Sequence, residues 1–153
     1  MIPDTLRDNP CAVALDDLTL SAKFAFNELT LEVDPANIVQ ALQRLKHDLK
    51  FERLSTVTAV DRFPAEPRFE IVYHLQSISG AQRVRLKARL SGEDPTIESA
   101  CGVYRSANWY EREVFDLFGV RFLNHPNLTR IMMPDDWLGH PLRKDVPVTG
   151  TRY

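Results

Sequence analysis

Apolar and polar positions alternate most regularly between Arg68 and Leu90. Phe69, Ile71, Tyr73 and Leu75 alternate with polar neighbours, and Val84, Leu86, Ala88 and Leu90 alternate with Arg83, Arg85, Lys87 and Arg89. A tight turn at Ser79-Gly80 pairs Leu75 with Val84, Tyr73 with Leu86, Ile71 with Ala88 and Phe69 with Leu90. Every pair is then apolar on one face, and a one-residue slip would turn that face to water. The same register sets Glu70 opposite Arg89 and His74 opposite Arg85; a shift by two residues would preserve both faces.

Other segments carry shorter signals. Lys23 to Val33 suits a strand, with Phe24, Phe26, Leu29, Leu31 and Val33 as its apolar points. Asp34-Pro35 then opens a helix as N-cap and first helical residue, and Ile38, Val39, Leu42, Leu45 and Leu49 recur at helical spacing. Phe51 to Asp61 reads as a further strand, and the prolines of Arg62 to Pro67 mark a loop. Thr96 to Val103 is expected to be a short helix. A second long helix runs from about Ser106 to Phe118, buries Ala107, Tyr110, Val114, Leu117 and Phe118, and ends at Gly119, the residue best able to take a left-handed cap. Past Arg121-Phe122 the chain is proline-punctuated loop.

This order predicts an α+β domain: a mostly antiparallel sheet of four or five strands, helices packed on one face, and an extended C-terminal tail. Residues 1–121 form the core, with residues 1–20 as a weakly ordered arm, and residues 122–153 form a partner-binding tail. Composition changes this little. With 19 basic and 21 acidic side chains the chain carries a net charge of −2, so bulk charge does not point to nucleic acid. Cys11 and Cys101 stand far apart and read as free thiols of a reducing compartment. The N-terminus lacks a signal pattern and the apolar runs are only a few residues long, so the expectation is a soluble, cytosolic chain able to dock on a membrane complex.

The candidate chemistry concentrates after Trp109. Arg83, Arg85, Lys87 and Arg89 make a basic row, read either as a solvated sheet face or as a docking face. RNA fits poorly, because Phe69 and Tyr73 fall on the other face. His125 and His140 each precede proline and lack companions at a defensible metal spacing. Glu113 and Asp116 share a helix face, where paired carboxylates can act as acid and base, but Arg112, four residues before Asp116, can neutralise it. Arg143, Lys144 and Asp145 cluster beside Trp137, with Arg143 able to grip a carboxylate and Trp137 offering a flat anchor. Charged and aromatic residues in an irregular segment, without a nucleophile or phosphate cradle, suggest a surface that holds a partner.

The run EREVFDLFGVRFLNHPNLTRIMMPDDWLGHPLRKDVP resembles the signature of the C subunit of NADH-quinone oxidoreductase (respiratory complex I), the equivalent of the mitochondrial thirty-kilodalton subunit. The matching blocks are Glu111, Arg112, Glu113, Asp116 and Gly119; His125, Pro126, Leu128, Arg130 and Ile131; and Asp136, Trp137, Gly139 to Asp145 and Pro147. The resemblance implies a non-catalytic scaffold subunit of the peripheral arm of a proton-translocating complex that passes electrons from NADH to quinone. Such a subunit lies on the cytoplasmic side of the inner or plasma membrane (matrix side in mitochondria). It packs on the D subunit, the large chain that shapes the quinone site, and beside the small iron–sulfur subunits. The implied interface is Glu111, Arg112, Asp116, His125, Arg130, Trp137, His140, Arg143, Lys144 and Asp145. Related domains occur in membrane-bound hydrogenases, so these motifs leave the electron donor open. No Gly-rich dinucleotide loop and no cysteine cluster is present, so no bound NADH, flavin or iron–sulfur cluster is expected in this chain. A stand-alone acid–base enzyme and an RNA-binding module are the competing classes.

Overall fold

The computed structural model describes residues 3–149, and the hairpin predicted from alternation is its centre. Strands β4 (Phe69–Ser77) and β5 (Gln82–Leu90) pair antiparallel in the expected register, Phe69 opposite Leu90 through Leu75 opposite Val84. All eight side chains of those four pairs are buried. At roughly 2 kcal/mol for each large side chain buried, a one-residue slip would cost on the order of 10 kcal/mol, comparable to the whole stability of a domain.

Strand β3 (Arg53–Asp61) pairs antiparallel with β4. On the other side β2 (Glu28–Val33) runs parallel to β5, and β1 (Thr19–Ala25) pairs antiparallel with β2, giving the order β1-β2-β5-β4-β3. The strand expected from Lys23 to Val33 is therefore two strands. The chain reverses at Phe26 and Asn27, both at positive φ, as a two-residue hairpin loop requires. Phe26 hides this turn from a sequence reading because it is not a turn-forming residue.

Helix α2 (Ile38–His47) lays Ile38, Ala41, Leu42 and Leu45 on the apolar sheet face. Asp34 accepts the Ala36 N–H at 2.9 Å and Pro35 opens a 3-10 turn that leads into α2, so the expected cap is present one turn early. The N-terminal arm is folded rather than weakly ordered. Asn9 accepts N–H bonds from Cys11 and Ala12 at the start of α1 (Pro10–Ala14), and Leu6, Cys11, Ala12, Leu15 and Leu18 join the common core. Met1 and Ile2, and residues 150–153 of the tail, lie outside the described residues.

The short helix expected at Thr96 to Val103 is instead strand β6 (Thr96–Glu98), followed by turns. It pairs parallel with β7 (Arg121–Leu123), which sets buried Ile97 opposite buried Phe122. Between them α3 (Ala107–Phe118) lies along β3 and ends at Gly119 with φ 76°. Three cations of the basic row are paired on a half-solvated face: Lys87 donates to Glu70 at 2.8 Å, Arg85 to Glu28 at 2.5 Å, and Arg89 pairs with Glu32 at 3.0 Å.

Candidate functional site

Helix α3 buries two carboxylates, Glu111 and Asp116, which the apolar stripe read from its sequence did not include. Each ties a different segment to the helix. Glu111 accepts the Ser99 hydroxyl and the Ala100 N–H, both at 2.6 Å, and the Cys101 thiol at 3.4 Å, which fastens the turn after β6. Burial raises its carboxyl above the usual range. Asp116 accepts three consecutive tail N–H groups on Oδ2, from Ile131 (3.0 Å), Met132 (2.7 Å) and Met133 (2.9 Å), while Arg130 donates to Oδ1 at 2.6 Å. Burial alone would raise this group too. The Met133, Met132 and Ile131 amides and the guanidinium outweigh it and hold Asp116 at about 2.

The end of α3 explains why the tail lies where it does. A helix leaves its last four carbonyls without intrahelical donors. Gly119 N–H takes the Phe115 carbonyl at 2.8 Å, and the tail supplies the rest. His140 Nδ1–H donates to the Asp116 carbonyl at 2.9 Å, the Leu142 N–H to Leu117 at 3.0 Å, and Arg143 Nε–H to Phe118 at 2.6 Å. The segment from His140 to Arg143 is thus the C-cap of α3, and the sequence block that begins at Gly139 owes much of its character to that role. Gly119 is needed twice here: for its left-handed φ, and because a Cβ would come within 2.5 Å of both Arg143 and His140.

Further along, the tail is latched to the sheet. Arg68 donates to both Asp61 oxygens (2.9 and 2.8 Å) and to both Asp145 oxygens (3.1 and 2.9 Å), with its guanidinium 4.9 Å from the Phe63 and Phe69 ring centres. Asp61 also accepts the Lys144 N–H at 2.8 Å. The Arg68 guanidinium holds the Asp61 carboxyl far below the carboxylate range. Arg68, not Arg143, is the bidentate arginine of this region; Arg143 stacks 5.3 Å from the Phe69 ring centre.

Arg112 does not neutralise Asp116, because Arg130 holds that position. Arg112 instead stacks on Trp109 (4.9 Å) and donates to the Thr129 carbonyl and hydroxyl. Glu113 is exposed and shares no proton with buried Asp116. His125 sits with its imidazole buried, accepts the Asn127 N–H on Nδ1 at 3.0 Å and faces the Asn108 carbonyl with Nε2 at 3.2 Å. Its Nε2 is 3.8 Å from Glu111. Burial lowers the His125 pKa, which disfavours an ion pair at this contact. Cys101, Glu111 and His125 come close enough together to suggest a metal site. The hydrogen bonds oppose it: Asn127 fixes the proton on Nε2, the His125 nitrogen nearer Glu111, which donates to the Asn108 carbonyl, and the Cys101 thiol donates to Glu111.

Among the expected interface residues, therefore, Arg112, Asp116, His125, Arg130, His140, Arg143 and Asp145 hold the tail to its own domain, while Glu111 holds the turn after β6. Trp137 (44 % exposed) and the Lys144 side chain face outward, joined by Leu138 and Leu142, and residues 137–148 line a groove of about 680 Å³. Asp61, Arg68 and Ser99 belong to the same constellation and were not picked out by motif or spacing, since each sits alone in a loop or at a strand end.

Residues 31–152 match the family described as "Respiratory-chain NADH dehydrogenase, 30 Kd subunit". The chain is 51% identical over 123 residues to the C subunit of NADH-quinone oxidoreductase from Citrifermentans bemidjiense, covering 80% of this chain and 76% of that one. It is 53% identical over 119 residues to the corresponding protein of Trichlorobacter lovleyi, covering 77% and 74%. Among solved structures it is similar to a trypsin-resistant fragment of Nqo5, with a TM-score of 0.63 and 28% identity over 69% of this chain and 86% of the fragment. It is also similar to a chain of the membrane-bound sulfane sulfur reductase, an archaeal respiratory membrane complex, with a TM-score of 0.74 and 26% identity over 89% and 82%. By these matches, and by the three sequence blocks that build the capped helix and its tail, the chain belongs to the family of the 30 kDa subunit of respiratory-chain NADH dehydrogenase.

Proposed function

We propose that this chain is a scaffold subunit of the peripheral arm of a proton-translocating NADH:quinone oxidoreductase. In this reading it docks on the large subunit that shapes the quinone site, near the small iron–sulfur subunits, on the cytoplasmic face of the membrane. Family membership makes it one component of a hetero-oligomer. Among the described residues no helix is long and apolar enough to cross a membrane; in this reading its membrane association runs through the complex.

One observation carries the docking role. The tail spends Arg130, His140, Arg143, Asp145 and its backbone donors on α3, Asp61 and Arg68, and so presents Trp137, Leu138 and Leu142 outward on an ordered frame. A surface already fixed in place loses less conformational entropy when a partner covers it. Trp137 is of the type that dominates interface energetics. Replacing it with alanine is expected to weaken assembly by ~2 kcal/mol or more, measured as affinity for a complex lacking this subunit. Wild-type affinity and complex yield in that variant would overturn the docking role of the tail.

The likeness to the sulfane sulfur reductase chain supports a second reading, an equivalent subunit of a related respiratory complex with another electron donor. Purification of the complex through this chain separates the two: NADH-dependent quinone reduction supports the first, and its absence with ferredoxin-dependent turnover supports the second.

A further inference from the structure

The β1–β2 turn contains a residue that a turn alone would not select. Phe26 takes its first position at φ 53° and Asn27 its second at φ 60°. Left-handed backbone is costly for a bulky aromatic, whereas asparagine or glycine adopts it readily. Phe26 gains no burial in return, being 103 % exposed, and Phe24 beside it is 51 % exposed. A strained, fully exposed aromatic is held out for something other than its own fold.

Strand β1 has a second unmet capacity. It is the sheet edge opposite β3, paired only with β2. Residues flanking a two-residue hairpin loop exchange both hydrogen bonds, so Ala25 and Lys23 face β2 while Ala22 and Phe24 turn their N–H and C=O outward. The irregularity between Thr19 and Ser21 ends the straight run and leaves Ser21 to Ala25 as the pairing edge. Beside it a groove of about 560 Å³ is lined by Phe24, Phe26, Leu29, Asn9 and Arg83. Neither Lys23 nor Arg83 has a carboxylate partner among the described residues.

We propose that the β1 edge, with Phe24 and Phe26, docks an extended segment of a neighbouring subunit of the complex. That segment adds as a further strand beside Ser21 to Ala25. Its alternate apolar side chains cover the two rings, and a carboxylate reaches Lys23 or Arg83. A lipid surface would bury the rings but leave the outward amides of Ala22 and Phe24 unpaired. A second copy fits poorly as well. Two-fold pairing about Ala22 sets the Thr19–Ser21 irregularity against the partner's straight edge, pairing about Lys23 opposes two ammonium groups, and pairing about Phe24 opposes only Lys23 to Ala25 of each strand before β1 ends.

The inference rests on the subunit role proposed above, and its test keeps the two apart. Hydrogen exchange is measured on the purified complex and on the isolated chain. The Ala22 and Phe24 amides are expected to exchange freely in the isolated chain and ~100-fold more slowly in the complex. Phe26→Asn gives the turn a residue it favours and removes the ring. The isolated variant should melt at the same temperature or higher, while its affinity for a complex depleted of this subunit falls ~tenfold or more. Ala22→Pro, whose missing N–H points away from β2, should impair assembly to a similar extent. Equal exchange in both states, or wild-type assembly by Phe26→Asn, would overturn the proposal while the chain still co-purifies with the complex; failure to co-purify would instead sink the subunit role. Dimerisation in sedimentation, or binding to phosphatidylglycerol vesicles, that Phe26→Asn abolishes would overturn it in favour of a second copy or a membrane surface.

Discussion

Glu111 and Asp116 sit on one helix, both with no exposed surface, yet their carboxyls move in opposite directions. The difference is the donor set. Asp116 has a guanidinium and three N–H groups, whereas Glu111 has one hydroxyl, one N–H and a weak thiol donor. Glu111 therefore acts mainly as an acceptor, and glutamine retains an acceptor for Ala100. Glu111→Gln is expected to change stability by less than ~1 kcal/mol at pH 5. Glu111→Ala, which orphans a buried hydroxyl and amide, should cost ~2–4 kcal/mol in urea unfolding. Because the folded pKa is raised, the glutamate's contribution is complete below its ordinary value of 4.5 and is lost as pH rises through the folded value. Glu111→Gln should accordingly gain on the wild type as pH rises above 4.5. A constant difference across that range would remove the assignment. Neither buried acid was legible in the sequence as buried. Spacing offered Arg112 as the partner of Asp116, but an exposed i,i+4 pair contributes only ~0.2–0.5 kcal/mol, far less than the set assembled from a segment fifteen residues further on.

At the scale of elements, legibility followed the length and regularity of the pattern. The β4–β5 register and the limits of α3 were readable because nine-residue strands and a twelve-residue helix repeat their period several times. Three-residue β6 repeats nothing, and the β1–β2 turn shows a phenylalanine where glycine or asparagine would mark it. The block from Gly139 to Asp145 could be recognised as a unit, but its work as the cap of α3 could not, since capping across more than twenty residues leaves no local spacing. Gly119 links the two. Gly119→Ala should cost ~1 kcal/mol for the left-handed backbone alone, and more because its Cβ displaces His140 and Arg143. Limited trypsin digestion should then cut at Arg143 and Lys144 faster than in the wild type, with the sheet strands still resistant. Unchanged cleavage would mean that the cap does not fix the tail.

For the whole molecule these links make the tail a separately held part. Apolar burial holds the sheet and its helices, whereas carboxylates at Asp61, Asp116 and Asp145 anchor the tail. All three are depressed, so their contribution is complete above the ordinary value of 3.8 and is lost as pH falls through the folded value, about 2 for Asp116. For Asp116 that contribution is ~2 kcal/mol. His125 and His140 act in the same direction from higher pH, because burial lowers both and the folded chain resists their protonation below 6.5. Acidification should therefore free the tail before the sheet melts. Pepsin, active in this range, is expected to remove residues beyond Leu123 between pH 4 and pH 2 while the strands remain intact by circular dichroism. Asp116→Asn should loosen the tail already at pH 7, seen as faster exchange of the Ile131, Met132 and Met133 amides with Tyr73 and Leu86 unchanged. Loss of tail and sheet at a single midpoint, in both proteins, would show that apolar packing rather than carboxylates holds the tail. Its exposed Trp137 face would then have to be ordered by the partner itself.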